Sequence, residues 1–149
     1  MIIKTSSLRK EVPSSDGSLI ILEDINLELE QDKSLAIVGP SGSGKSTLLS
    51  LLAGIDTATS GQVYLDEHPL HLMNENQRAS IRKEKVAFVF QSFELLPGLT
   101  ALENVMLPAE IKHLPNATEL AKEYLNRVGL EKRYEHYPKQ LSGGEQQRV

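Results

Sequence analysis

Ile25, Leu27 and Leu29 alternate with Asn26, Glu28 and Glu30, a period of two that predicts a strand with one wet face. The strand follows a turn-forming run, PSSDGS from Pro13 to Ser18, so an N-terminal antiparallel hairpin is expected. SLAIVG, Ser34 to Gly39, is short, apolar and closed by glycine, the pattern of a buried strand. From Gly44 the spacing becomes helical and would turn Leu48, Leu49, Leu51, Leu52 and Ile55 toward a core. SGQVYL, Ser60 to Leu65, reads as a turn entering a strand, and NENQRASIRKEK, Asn74 to Lys85, as a polar helix. VAFVF, Val86 to Phe90, predicts a second buried strand. After Gln91 only helical patterns follow; Asn116 with Glu119 resembles a capping box, ahead of a face made of Leu120, Tyr124, Leu125 and Val128. The expected fold is therefore α/β, with a strand-bearing core over residues 1–91 and a helical subdomain over 92–149.

Composition narrows the class. With 149 residues, the chain fits one ordinary domain. Its 16 basic and 20 acidic residues are interspersed, so no basic face for general nucleic-acid binding is expected. There is no cysteine, which excludes disulfides and thiolate metal sites. No apolar run approaches the roughly 18 residues of a membrane span, so contact with a membrane would come through a partner. His68, His71, His113 and His136 have no metal-ligand spacing and read as solvated or locally packed side chains.

GPSGSGKS, Gly39 to Ser46, satisfies GxxxxGK[ST] between a predicted strand and a predicted helix, the context this motif requires. Gly39, Pro40, Ser41, Gly42, Ser43 and Gly44 form the loop. Its glycines let backbone N–H groups and a helix N-terminus approach phosphate closely. Lys45 would meet the β and γ phosphates as a point charge, Ser46 would ligate Mg²⁺, and Thr47 would add a phosphate contact.

A second motif, LSGGEQQRV from Leu141 to Val149, joins GPSGSGKST and VFQSF, Val89 to Phe93. Together they resemble the ATP-binding subunits of ABC transporters over essentially the whole chain. LTALENVMLP, Leu99 to Pro108, is similar to the subgroup that serves lipoprotein release, macrolide export and peptide export. The resemblance implies a P-loop NTPase (RecA-like) core, Mg²⁺ and ATP as ligands, and two such subunits packed head to tail. Ser142, Gly143 and Gly144 would then cap the ATP held by the partner subunit. Gln91, by itself a surface glutamine at a strand end, would touch Mg²⁺ and the attacking water and couple them to a transmembrane permease. Phe93 to Pro97, with Leu99 and Leu102, would receive that permease, placing the chain on the cytoplasmic face of a membrane. Two alternatives belong beside this reading: a soluble ABC ATPase of translation or DNA repair, and a nucleotide-binding fragment that does not hydrolyse.

Departures from the family pattern are specific. Val12 stands where an aromatic residue often stacks on adenine, so aliphatic packing by Val12 with Ile20 and a weaker base preference are expected. Asp32 replaces a usual glycine at a turn; Asp tolerates the left-handed conformation better than most residues. The aspartate, glutamate and histidine that follow the signature in such ATPases have no counterpart in these residues. The expectation is an N-terminal portion of a longer ATPase, lacking the C-terminal part of the core and unable to hydrolyse ATP alone.

Overall fold

The computed structural model describes residues 1–15, 17–90 and 94–149, in two compact units, Met1–Ala87 and Phe88–Val149. In the first unit, β1 (Ile3–Ser14) and β2 (Gly17–Leu29) form the expected hairpin, paired antiparallel from Ile3 with Leu29 to Ser14 with Gly17. β3 (Ser60–Leu65) adds to the other edge of β1 and β4 (His68–Pro69) to β3, giving the order β2-β1-β3-β4. Helix α1 (Lys45–Leu52) packs against the sheet. The core is Leu8, Leu22, Leu48, Leu51, Leu52, Val63, Leu65 and Leu70.

Two close joints fix this arrangement. Lys10 reaches from β1 to the loop after α1, donating at 2.8 Å to Asp56 and at 2.8 Å to the Thr57 carbonyl. The Lys10 ammonium holds the Asp56 carboxyl below the usual carboxylate range. At Gly61, with φ +87°, an added Cβ would lie 2.2 Å from the Ser7 carbonyl oxygen and 2.6 Å from the Leu8 Cα. Only glycine lets β3 cross β1 this closely.

Helix α2 (Glu75–Lys85) is the predicted polar helix, started by a capping box between Asn74 and Gln77. In the second unit, α3 (Ala101–Ile111) starts at a Thr100–Glu103 capping box and packs against α4 (Ala117–Arg127). A short helix, α5 (Gly143–Arg148), follows a single 3₁₀ turn at Pro138–Gln140.

Several expectations are corrected. Ser34–Gly39 and Val86–Phe90 are not strands: a strand needs a hydrogen-bonding neighbour, and the described sheet pairs with neither run. Val38 is 87% exposed and Val89 fully so, while Phe88 and Phe90 stack on each other with centroids 5.5 Å apart. α1 buries Leu48, Leu51 and Leu52 but leaves Leu49 and Ile55 half exposed, because its buried stripe is narrower than the leucine run. Asn116 makes no side-chain cap; it takes the left-handed conformation at φ 61°, where its carboxamide cannot reach the helix's N–H groups. The buried face of α4 is Ala121 and Leu125, and Tyr124 and Val128 are exposed. Asp32 does adopt the left-handed conformation, with φ 61°.

Candidate functional site: a phosphate loop and a capped signature helix

The segment from Gly39 to Gly44 bends tightly, with the Ser43 N–H donating to the Pro40 carbonyl at 3.3 Å. It delivers the chain to α1 through Gly44, the N-cap residue, at φ 84°. A side chain at Gly44 would strain the backbone and also collide with β2, since its Cβ would lie 2.9 Å from Leu22 Cδ2 and 3.0 Å from the Ile21 carbonyl oxygen. The helix start is therefore seated directly on the edge strand.

Its electrostatics are unlike those of the other helices. α2, α3 and α5 begin with side-chain caps and carry Glu75, Glu103 and Glu145 in their first turns, and α4 carries Glu119. Among the described α-helices, α1 alone has neither a side-chain cap nor an acidic first-turn residue. Its leading N–H groups and positive dipole end are left for an external anion. Lys45 folds over the loop, donating to the Gly39 carbonyl at 3.0 Å and the Pro40 carbonyl at 2.6 Å, with Ser43 Oγ at 3.5 Å. Its ammonium thus lies at the loop beside exposed Ser41, Gly42 and Ser46, with Thr47 one residue further along α1.

Mg²⁺ fits this donor set in one way only. Ser46 offers a hydroxyl on the first turn of α1, and no group of three or more His, Asp or Glu side chains among the described residues could hold a metal. Mg²⁺ is usually held by one or two protein oxygens together with substrate phosphates. Gln91, the other sequence-derived metal and water contact, lies outside the described residues, as does Phe93.

Val12 lies at the hairpin tip and pairs with Leu19, whereas Ile20 pairs with Glu11. Paired residues share a face of the sheet and neighbours alternate, so Leu19 replaces Ile20 as the companion of Val12. Sequence reading missed this because β2 carries one extra residue between the pairs Lys10–Leu22 and Glu11–Ile20.

Ser142, Gly143 and Gly144 belong to the second unit, at the start of α5. Ser142 Oγ donates to Glu145 Oε2 at 2.8 Å and the Ser142 N–H donates to the same oxygen at 2.8 Å, while the Glu145 N–H donates back to Ser142 Oγ. Arg133 Nε holds the other carboxylate oxygen at 2.7 Å. Sequence reading missed this cap, although Ser142 and Glu145 have capping-box spacing.

These contacts, led by the Ser142 N–H and followed by Arg133, hold the Glu145 carboxyl down to about 2. Because the folded value is depressed, the stabilisation is complete above the ordinary value of 4.5 and is lost as pH falls from there toward 2. An NMR titration of the Glu145 carboxyl carbon is expected to show a midpoint near 2, moving up in Arg133→Ala; a midpoint of 4.5 in the unaltered chain would contradict this cap.

In the region expected to receive a partner, Asn104 secures the loop before α3. Its carboxamide accepts from the Leu96 N–H at 2.8 Å and donates to the carbonyls of Leu96, Leu99 and Thr100. Leu96 remains 47% exposed on this loop.

Comparison with known proteins matches residues 22–149 to the family model described as ABC transporter. The uncharacterized ABC transporter ATP-binding protein YbbA of Escherichia coli (strain K12) is 49% identical over 150 residues, covering 99% of this chain and 66% of that protein. The lipoprotein-releasing system ATP-binding protein LolD of Pseudomonas fluorescens is 45% identical, with coverage of 99% and 66%. A dimeric structure of the ATP-binding cassette MJ0796 in a post-hydrolysis state, bound to ADP and Pi, superposes with a TM-score of 0.89 at 38% identity, covering 98% of this chain and 66% of that one. The chain thus spans about two thirds of the length of these relatives. The matched family, the shared fold and the phosphate loop agree: the chain belongs to the ABC transporter family, among its ATP-binding proteins.

Proposed function

We propose that this chain binds Mg-ATP through Gly39 to Thr47 and forms part of the ATP-hydrolysing subunit of an ABC transporter. The observation that carries the reading is the uncapped start of α1 beneath a glycine-rich loop, with the Lys45 ammonium on the Gly39 and Pro40 carbonyls. Lys45 turns toward the terminal phosphates when they enter, while the N–H groups of the loop and the first turn of α1 take their oxygens. Ser46 holds Mg²⁺, which draws negative charge from the phosphates. Residues 1–91 act as the nucleotide-binding core and residues 92–149 as the helical subdomain. Gln91 couples the nucleotide to the permease, whose docking region includes exposed Leu96.

The dimeric relative bound to ADP and Pi supports a head-to-tail partner, a second copy of the subunit. In that arrangement Ser142, Gly143 and Gly144 meet the nucleotide of the partner. Ser142 would release Glu145 to donate to phosphate, and Arg133 would keep that carboxylate paired. None of the described helices is long and apolar enough to cross a membrane; attachment to the cytoplasmic face through permease subunits is part of this proposal.

Ser142→Arg is expected to leave ATP binding within about twofold of the unaltered chain and to abolish ATP-dependent self-association, because a bulky cation replaces a small hydroxyl at the proposed contact. Calorimetry measures the first and sedimentation velocity the second. ATP-dependent association that survives the substitution would refute the role across the dimer.

A further inference from the structure

We propose that the base of the bound nucleotide rests on a bare aliphatic shelf formed by Val12 and Leu19, and that the site accepts nucleoside triphosphates with little regard to the base they carry. This rests on the nucleotide reading above and specifies its substrate class.

The position of the shelf follows from the seat of the phosphate loop. Gly44 lies against Leu22 and Ile21 of β2 so closely that no side chain fits between them. From there β2 leads back to the hairpin tip. Leu19 stands three residues before Leu22, about 10 Å along a strand, a separation bridged by the ribose and first phosphate of a nucleotide. The register sets its direction. Lys10 pairs with Leu22, Glu11 with Ile20 and Val12 with Leu19, so β1 advances by one residue where β2 advances by two. Lys10 and Val12 are two apart on the regular strand and share a face, and so do their partners. Val12 and Leu19 therefore lie on the face of Leu22, which packs in the core with α1, while Ile20 lies on the other with Glu11.

The chemistry of the shelf decides its selectivity. Leu19 is 55% exposed and Val12 partly so, and neither Ile3–Ser14 nor Gly17–Leu29 contains an aromatic residue. Aliphatic groups touch the face of a base through dispersion and burial; they cannot read the donors and acceptors on its edge. The charged neighbours on β1 are committed elsewhere, Lys10 to Asp56 and Arg9 to Glu11 at 2.7 Å. A site that makes no hydrogen bond to the distinguishing group discriminates weakly, whereas one that does rejects the wrong ligand by orders of magnitude.

Displacement of a fluorescent ATP analogue from the 149-residue chain tests this, using Mg-ATP, Mg-GTP and Mg-tripolyphosphate as competitors. ATP and GTP are expected to compete within about fivefold of each other. Leu19→Ser, at an exposed position, is expected to weaken both by about fivefold and leave tripolyphosphate unchanged. An ATP preference above about fiftyfold, unchanged nucleotide affinity in Leu19→Ser, or an equal loss for tripolyphosphate would overturn the shelf while leaving phosphate binding intact. No displacement by any of the competitors would overturn the nucleotide reading and this inference together.

Discussion

Lys45→Ala is expected to weaken Mg-ATP binding by about a hundredfold or more, since two charge-assisted contacts to phosphate, each worth about 1.5–3 kcal/mol, are lost together. The fold should be unaffected. Lys45 Nζ touches only the loop, at the Gly39 and Pro40 carbonyls and Ser43 Oγ, and none of these contacts joins two elements of the sheet or core. The helix start survives as well, because Gly44 rather than Lys45 sets its geometry. Calorimetry measures affinity, and a denaturant melt shows that stability is retained within about 0.5 kcal/mol, as for other exposed substitutions. Lysine changed to alanine without loss of affinity would remove the phosphate-loop assignment.

Gly61→Ala is expected to destabilise the first unit by more than about 3 kcal/mol, enough to unfold much of a marginally stable protein. Two penalties combine there. Alanine at φ +87° costs about 1–2 kcal/mol of backbone strain. Its Cβ would also sit 2.2 Å from the Ser7 carbonyl oxygen and 2.6 Å from the Leu8 Cα, backbone atoms that cannot swing aside as a side chain does. Leu8 is wholly buried, so shifting β1 to relieve the clash would disturb the core. Gly42→Ala provides the comparison: φ is +79° but nothing lies within 4 Å of the added carbon. It should show the strain alone, about 1–2 kcal/mol. Equal losses in the two variants, read from denaturant midpoints, would show that the contact between β3 and β1 is not what requires glycine.

The sequence was most informative where a residue type answers one physical demand. The glycines and lysine of the phosphate loop, the turn residues before β2 and the left-handed Asp32 were all legible for that reason. It misled where burial depends on distant partners. SLAIVG and VAFVF have the composition of buried strands, yet a strand also requires a hydrogen-bonded neighbour, which composition does not encode. Asn116 and Ser142 show the same limit within one motif. Both stand three residues before a glutamate, but Ser142 has the extended backbone that lets a box close, and Asn116 is left-handed. The partner of Val12 was hidden by a single extra residue in β2, because an inserted residue changes which side chains share a face. The link between Arg133 and Glu145 joins residues 12 apart in the chain and has no sequence period to reveal it.

The central claim is that the loop from Gly39 to Thr47 is where nucleotide binds. An amide NMR titration of the isotope-labelled chain with Mg-ATP tests it most directly. The expected result is saturable shifts that are largest at Gly42, Gly44, Lys45, Ser46 and Thr47, with smaller ones at Val12 and Leu19. Saturable binding that leaves those loop amides unmoved, or no binding at millimolar nucleotide, would contradict it.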